Sequence, residues 1–212
     1  MKENTKKILD DLCSRFPSLE KIKADIEKAF AVIRDCFKRG GTLFLCGNGG
    51  SASDCEHIAG ELLKSFKKKR AINSEVYAYL EAYGEEGKLL QEKLEGGLPV
   101  LSLVSQTGII SAFSNDKAWE VAFAQQLNAM GKTGDCLLSL STSGNSKNCV
   151  LATVLAKAKN ISTIALTGEG GGKLKELCDI TLAVPQSETY LVQELHLPIY
   201  HCLCAMLEEE FF

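Results

Sequence analysis

Five short apolar runs, at residues 42–46, 99–104, 136–140, 163–167 and 180–184, are each bounded by Gly, Ser or Pro and separated by stretches long enough for helices. Runs that are apolar throughout, rather than alternating, suit strands buried on both faces, and helix-length connections pair strands in parallel. The pattern predicts an α/β chain whose five-stranded parallel sheet is flanked by helices. Ahead of the first run, apolar residues including Leu9, Leu12, Phe16, Leu19, Ile22, Ile26, Phe30, Ile33 and Phe37 recur at three- and four-residue spacing. That spacing predicts an N-terminal helical segment of one or two helices over residues 1–38.

Between 67 and 97 the chain departs from this rhythm. The segment opens with Lys67-Lys68-Lys69-Arg70, continues polar and Glu-rich with Val76, Tyr79, Leu80, Tyr83, Leu89, Leu90 and Leu94, and closes at Gly96-Gly97. It reads as a helical insertion whose basic start is a solvated face or, in the sharper reading, a phosphate contact. With 212 residues in total, the chain has room for one domain with a sizeable core and no need of disulfides or structural metal.

A net charge of -3 offers no field for nucleic acid or an anionic membrane, so any anion must be held locally. The nine cysteines form no CxxC pair, and several lie inside apolar runs, as small hydrophobes in a reducing, cytoplasmic setting do. The polar N-terminus leads into an amphipathic pattern, and no later stretch has the length and apolarity of a membrane span, so neither export nor membrane insertion is expected.

Two loops carry the chemistry. Gly47-Asn48-Gly49-Gly50-Ser51 and Ser141-Thr142-Ser143-Gly144-Asn145-Ser146 each follow an apolar run and precede a helical stretch. Helix N-termini with small and hydroxylated residues bind anions, phosphate above all. In open parallel sheets ligands bind outside the carboxyl ends of the strands, where both loops fall. The first loop also matches the G-x-G-x-x-A of a dinucleotide site, but that needs an acidic residue about 20 positions on, at the end of the next strand. Here the next strand ends in Val104-Ser105-Gln106-Thr107, too late and without a carboxylate.

His57 and Glu61, at i and i+4, project from one helix face, a spacing that serves a shared metal or substrate and equally a surface ion pair. A second helical pattern over 188–209 carries Leu191, Val192, Leu195, Ile199, Cys202, Leu203 and Met206 as its core stripe, with Gln193 and His201 offset from it. His196 and His201 can each be satisfied core histidines, and Pro198 is expected to kink this helix. Ser146 or Asn145 can cap the helix after the serine loop, although one cap needs one polar side chain and this loop supplies several. Asn115-Asp116 suits sugar hydroxyls or an Asx turn.

Taken in order and spacing, these motifs resemble sugar isomerase (SIS) domains, and among them the phosphoheptose isomerases, over most of the chain. The resemblance rests on Cys46-Gly47-Asn48-Gly49-Gly50-Ser51, His57-Ile58-Ala59-Gly60-Glu61-Leu62, Ser114-Asn115-Asp116, the stretch 139–146, Leu166-Thr167-Gly168, and Gln193-Glu194-Leu195-His196 followed by His201. It implies an SIS-type three-layer sandwich over 1–212, and conversion of sedoheptulose 7-phosphate to D-glycero-D-manno-heptose 7-phosphate through an enediol. It further implies that Asn48, Gly49, Gly50, Ser51, Asn115, Asp116, Ser141, Thr142, Ser143, Ser146 and Gln193 hold the substrate, with Glu61 and His201 moving protons. His57, Glu61, Gln193 and His201 match family positions that bind one zinc ion, and the implied assembly is a homotetramer with active sites at subunit interfaces. The alternatives are an isomerase of another sugar phosphate and a non-catalytic sugar-phosphate-binding regulator, which would need only the phosphate loops. Three positions depart from the family pattern: Ser65 where an arginine is common, the long connection at 67–97, and Pro198 between Gln193 and His201.

Overall fold

The computed structural model describes all 212 residues, Met1–Phe212. Helices α1 (Glu3–Arg15) and α2 (Lys23–Lys38) form the N-terminal segment. They are separated by a 3-10 turn, Pro17–Ile22, that starts at the proline, whose missing N–H suits the first position of a turn. The remaining helices are α3 (Gly50–Leu63), α4 (Ser74–Leu80), α5 (Gly84–Lys93), α6 (Thr107–Asp116), α7 (Ala122–Met130), α8 (Lys147–Ala158), α9 (Gly172–Leu177) and α10 (Thr189–Phe211).

Strands β1 (Leu43–Gly47), β2 (Val100–Ser102), β3 (Cys136–Leu140), β4 (Ser162–Thr167) and β5 (Ile180–Ala183) form one parallel sheet in the order β2-β1-β3-β4-β5. Each expected run supplies a strand. The edge run 99–104 is trimmed to three residues, because the Val104 N–H turns back to the Ser102 hydroxyl. Alternate side chains feed two cores: Leu43 and Leu45 pack under α2, α3 and α10, while Phe44 and Cys46 pack against α7 and α8. The molecule is therefore three layers, helix on sheet on helix. The chain leaves β1 toward β2 and returns to lay β3 on the other side of β1, so the strand order reverses there. Gly47 pairs in register with Leu140, and the two loops leave the sheet side by side at that switch point.

The insertion is a helical hairpin of α4 and α5, joined by a 3-10 turn, Glu81–Tyr83, and started by the Asn73 side chain, which accepts the N–H groups of Glu75 and Val76. It buries only Gly87 within its two helices. The basic run at its start is not uniformly solvated: Lys67, Lys68 and Lys69 are exposed, whereas Arg70 is 2% exposed. Helix α10 continues through Pro198 without a break, and the residue whose carbonyl loses its donor, Glu194, lies on an exposed face. All nine cysteines are free, eight of them buried, and no helix is long and apolar enough to cross a membrane.

Candidate active site

The two loops close around a pocket of about 290 Å³ lined by Asn48, Gly49, Gly50, Ser51, Ser141, Thr142 and Ser146, with Thr189 and Gln193 contributed by α10. Two helix N-termini meet here, α3 after Gly49 and α8 after Ser146, and neither has a side-chain cap. Ser146 occupies the cap position, but its hydroxyl is bonded to the Ser141 hydroxyl at 2.9 Å instead of to its own helix. No cationic side chain lines the pocket, so an anion here would be held by hydroxyls, N–H groups and helix dipoles.

Glycine is required in the first loop for two different reasons. Gly49 has φ +54°, a left-handed conformation that side chains disfavour. At Gly50 a Cβ would come within 2.5 Å of the Gln193 Nε2, so the absence of a side chain is what lets that amide reach the pocket. Asn48 and Asn148 exchange two amide hydrogen bonds of 2.9 and 2.8 Å, tying the glycine loop to the first turn of α8. Asn148 escaped the sequence reading; its only signal was a polar side chain just inside a helix start.

Ser143 does not line the pocket: its hydroxyl accepts the Asn145 N–H at 3.2 Å. Asn115 and Asp116 lie exposed at the end of α6, where the Asn115 amide donates to the Asp116 carboxylate at 2.9 Å, and they too are outside the lining.

A second constellation assembles on α3 and α10. The His57 Nε2 lies 3.3 Å from Glu61 Oε1 and 3.4 Å from the His201 Nε2. Behind it, the His57 Nδ1 is 3.1 Å from the Tyr200 hydroxyl, which donates to Asp54 Oδ1 at 3.1 Å. The tyrosine has one proton and gives it to the carboxylate, so its oxygen accepts from His57 Nδ1–H. That places a proton on Nδ1 and leaves Nε2 to face Glu61 and His201. Burial holds His201 below the ordinary imidazole pKa, and the neighbouring His57 adds to this while Glu61 opposes it. At neutral pH its ring is therefore neutral. His201 is reached through an open cleft of about 500 Å³ between α1 and α10.

These donors bear on a metal. A tetrahedral zinc ion with nitrogen and oxygen ligands separates its ligand atoms by about 3.3–3.4 Å. The two distances around His57 Nε2 match that edge. Even so, no three or more His, Cys, Asp or Glu side chains of this chain are arranged to hold a metal ion by themselves. Gln193 lies in the other pocket, eight residues before His201 and thus about 12 Å away along α10. His196, in contrast, is wholly buried; burial pushes its pKa down to about 4, and although the Thr167 backbone is near, neither ring nitrogen makes a well-formed hydrogen bond. It is a core histidine, but not a satisfied one.

Comparison with known proteins gives a consistent result. SIS-domain family models match residues 9–96 and 113–206. A phosphoheptose isomerase of Akkermansia muciniphila is 36% identical over 95% of this chain and 93% of its own length, and one of Campylobacter jejuni is 36% identical over 91% and 90%. Among solved structures, phosphoheptose isomerases from Neisseria gonorrhoeae and Francisella tularensis superpose with TM-scores of 0.74 and 0.73 at 27% and 26% identity. The first covers 98% of each chain, the second 99% of this chain and 100% of its own.

Proposed function

The chain belongs to the phosphoheptose isomerase family of SIS-domain proteins, and from that premise we propose that it converts sedoheptulose 7-phosphate to D-glycero-D-manno-heptose 7-phosphate. The observation that carries this reading is the joint presence of a hydroxyl-lined anion pocket and the proton-transfer cluster of His57, Glu61 and His201. A sugar-phosphate-binding regulator has use for the first and none for the second.

In the mechanism, the serine loop and the uncapped N-termini of α3 and α8 take the phosphate, which fixes the far end of the opened sugar. Glu61 removes the proton from C1 of the ketose, giving an enediol, and returns it to C2. The neutral His201 gives a proton to the oxygen on C2 and recovers one from the oxygen on C1. Each well-placed group contributes about 10²–10⁴-fold. Zinc held by His57, Glu61, His201 and Gln193 would polarise the carbonyl and stabilise the negative charge of the enediolate.

Gln193 is too far along α10 to join the other three donors of its own chain, which supports its delivery from a neighbouring subunit. We accordingly take the assembly to be a homotetramer with active sites at subunit interfaces, where Asn115, Asp116 and Ser143 of one chain would also find their use. The nine free cysteines agree with a cytoplasmic setting, and the product would enter heptose precursor synthesis for lipopolysaccharide, capsule or another surface glycan.

The test is an assay of the purified protein with sedoheptulose 7-phosphate, with added zinc and after chelation. Turnover is expected, with Glu61→Gln and His201→Ala each lowering kcat by about 10²–10⁴-fold while the fold persists. Unchanged rates in either variant would sink the mechanism. A wild-type protein that is silent in every condition, yet stabilised by sugar phosphates against heat, would transfer the argument to another substrate or to the regulator.

A further inference from the structure

We propose, building on the isomerase reading, that Arg70 is a positioning residue for proton transfer, holding the helix that carries Glu61 against the helix that carries His201 through a buried pair with Glu208. Its guanidinium is fully buried and uses all three nitrogens. Nε donates to Glu208 Oε1 at 2.8 Å, Nη1 to the Leu62 carbonyl at 2.7 Å, and Nη2 to the carbonyl of Glu61 itself at 2.9 Å. Those carbonyls belong to the last turn of α3, where the helix offers them no N–H of its own. Glu208, on α10 seven residues beyond His201, also accepts the N–H groups of Phe66, Lys67 and Lys68 at 2.9, 2.8 and 3.1 Å.

The fork therefore links the backbone of the general base to the helix bearing its partner. It also fastens both ends of the insertion. The Arg70 N–H reaches the Ser65 hydroxyl at 3.1 Å, its carbonyl accepts from Gly96 at 3.0 Å, and the Ser65 N–H reaches Glu95 at 2.8 Å. The exposed hairpin is thus joined to the end of α3 through this knot of hydrogen bonds.

A buried ion pair contributes little net stability against an apolar pair of similar volume, so stability alone does not account for this arrangement. The Leu62 carbonyl also accepts from the Leu98 N–H at 2.9 Å, but an apolar pair cannot hold the Glu61 carbonyl, and proton transfer is sensitive to sub-ångström placement. This difference separates positioning from simple structural support.

The experiment compares the full-length wild type with Arg70→Lys and with the double variant Arg70→Met/Glu208→Met. It measures melting temperature, KM and kcat with sedoheptulose 7-phosphate, and stabilisation by inorganic phosphate. The double variant, which also strips Glu208 of its three backbone N–H partners, should melt lower yet stay folded, keep phosphate stabilisation and a KM within about twofold, and lose about 100-fold in kcat. Arg70→Lys, which keeps the charge but not the fork, should lose about tenfold in kcat at a similar KM. A folded double variant with the wild-type kcat would overturn the proposal, as would loss of phosphate binding in parallel with kcat or failure of Arg70→Lys to fold. Absence of turnover in the wild type itself would instead remove the isomerase reading, and the positioning role with it.

Discussion

Tyr200 and Asp54 belong to no motif, yet together they determine which nitrogen of His57 faces Glu61 and His201. The hydroxyl is the only link between a half-buried carboxylate and the imidazole. Burial raises the pKa of Asp54, and the Tyr200 bond and nearby His57 offset part of that rise. Tyr200→Phe should lower activity by about 10–100-fold, the usual effect of removing a group that orients a ligating or acid/base histidine. It should also cost roughly 1–3 kcal/mol of stability, because the polar atoms it bridges are left without a partner. Kinetics and denaturant unfolding of the same variant check both, and wild-type kinetics would show that the tautomer does not matter. The pairing of His57 with Glu61 was legible because it depends only on helical spacing. The approach of His201 was not, since it needs α10 laid across α3.

At the scale of elements, the site is made by helix starts. Helices α3 and α8 begin at adjacent strand ends, and the serine hydroxyls that would ordinarily cap a helix bond one another inside the pocket. Gly50 connects this arrangement to α10. It lies in α3 without a left-handed φ, so Gly50→Ala should leave the helix as stable as before or gain up to about 1 kcal/mol. The added methyl would instead press the Gln193 amide away from the pocket, so phosphate affinity should fall. Calorimetric titration with inorganic phosphate alongside a melting curve tests this, and equal affinity would mean that Gln193 is free to step aside. The strands and the insertion could be read from composition because each is defined by its own residues. The burial of Arg70 at the end of a lysine run could not, because the carboxylate that attracts it is 138 positions away.

For the molecule as a whole, the knot at Glu208 predicts a pH dependence. Burial raises the carboxyl's pKa, but the N–H groups of Phe66 and Lys67 and the Arg70 fork outweigh it, and the net shift is downward. A carboxyl depressed on folding contributes stability that is complete above its unfolded pKa and is lost as pH falls through the folded value. The melting temperature should therefore drop from about pH 4.3 downward. Glu208→Gln should melt lower at neutral pH and show a shallower acid slope; Asp35, Asp179, Glu95, Glu120 and Glu209, depressed in the same direction, preserve part of the slope, while Asp54 works against it. An unchanged slope would show that the pair does not couple to folding. The same contrast between local and distant contacts divides what the amino-acid order determined from what folding decided. Five buried runs, two glycine- and serine-rich loops and the shared face of His57 and Glu61 follow from spacing within a few residues, and these suffice to identify the sheet and the family. Tertiary packing alone decided that Asn48 is locked to Asn148 across 100 positions and that His201 meets His57 across 144. It also decided that Ser143, Asn115 and Asp116 stand apart from the pocket they were expected to line, and that Gln193 joins that pocket and not the His57 cluster. Strand register and the packing of α10 set those distances, and neither is encoded in any single segment.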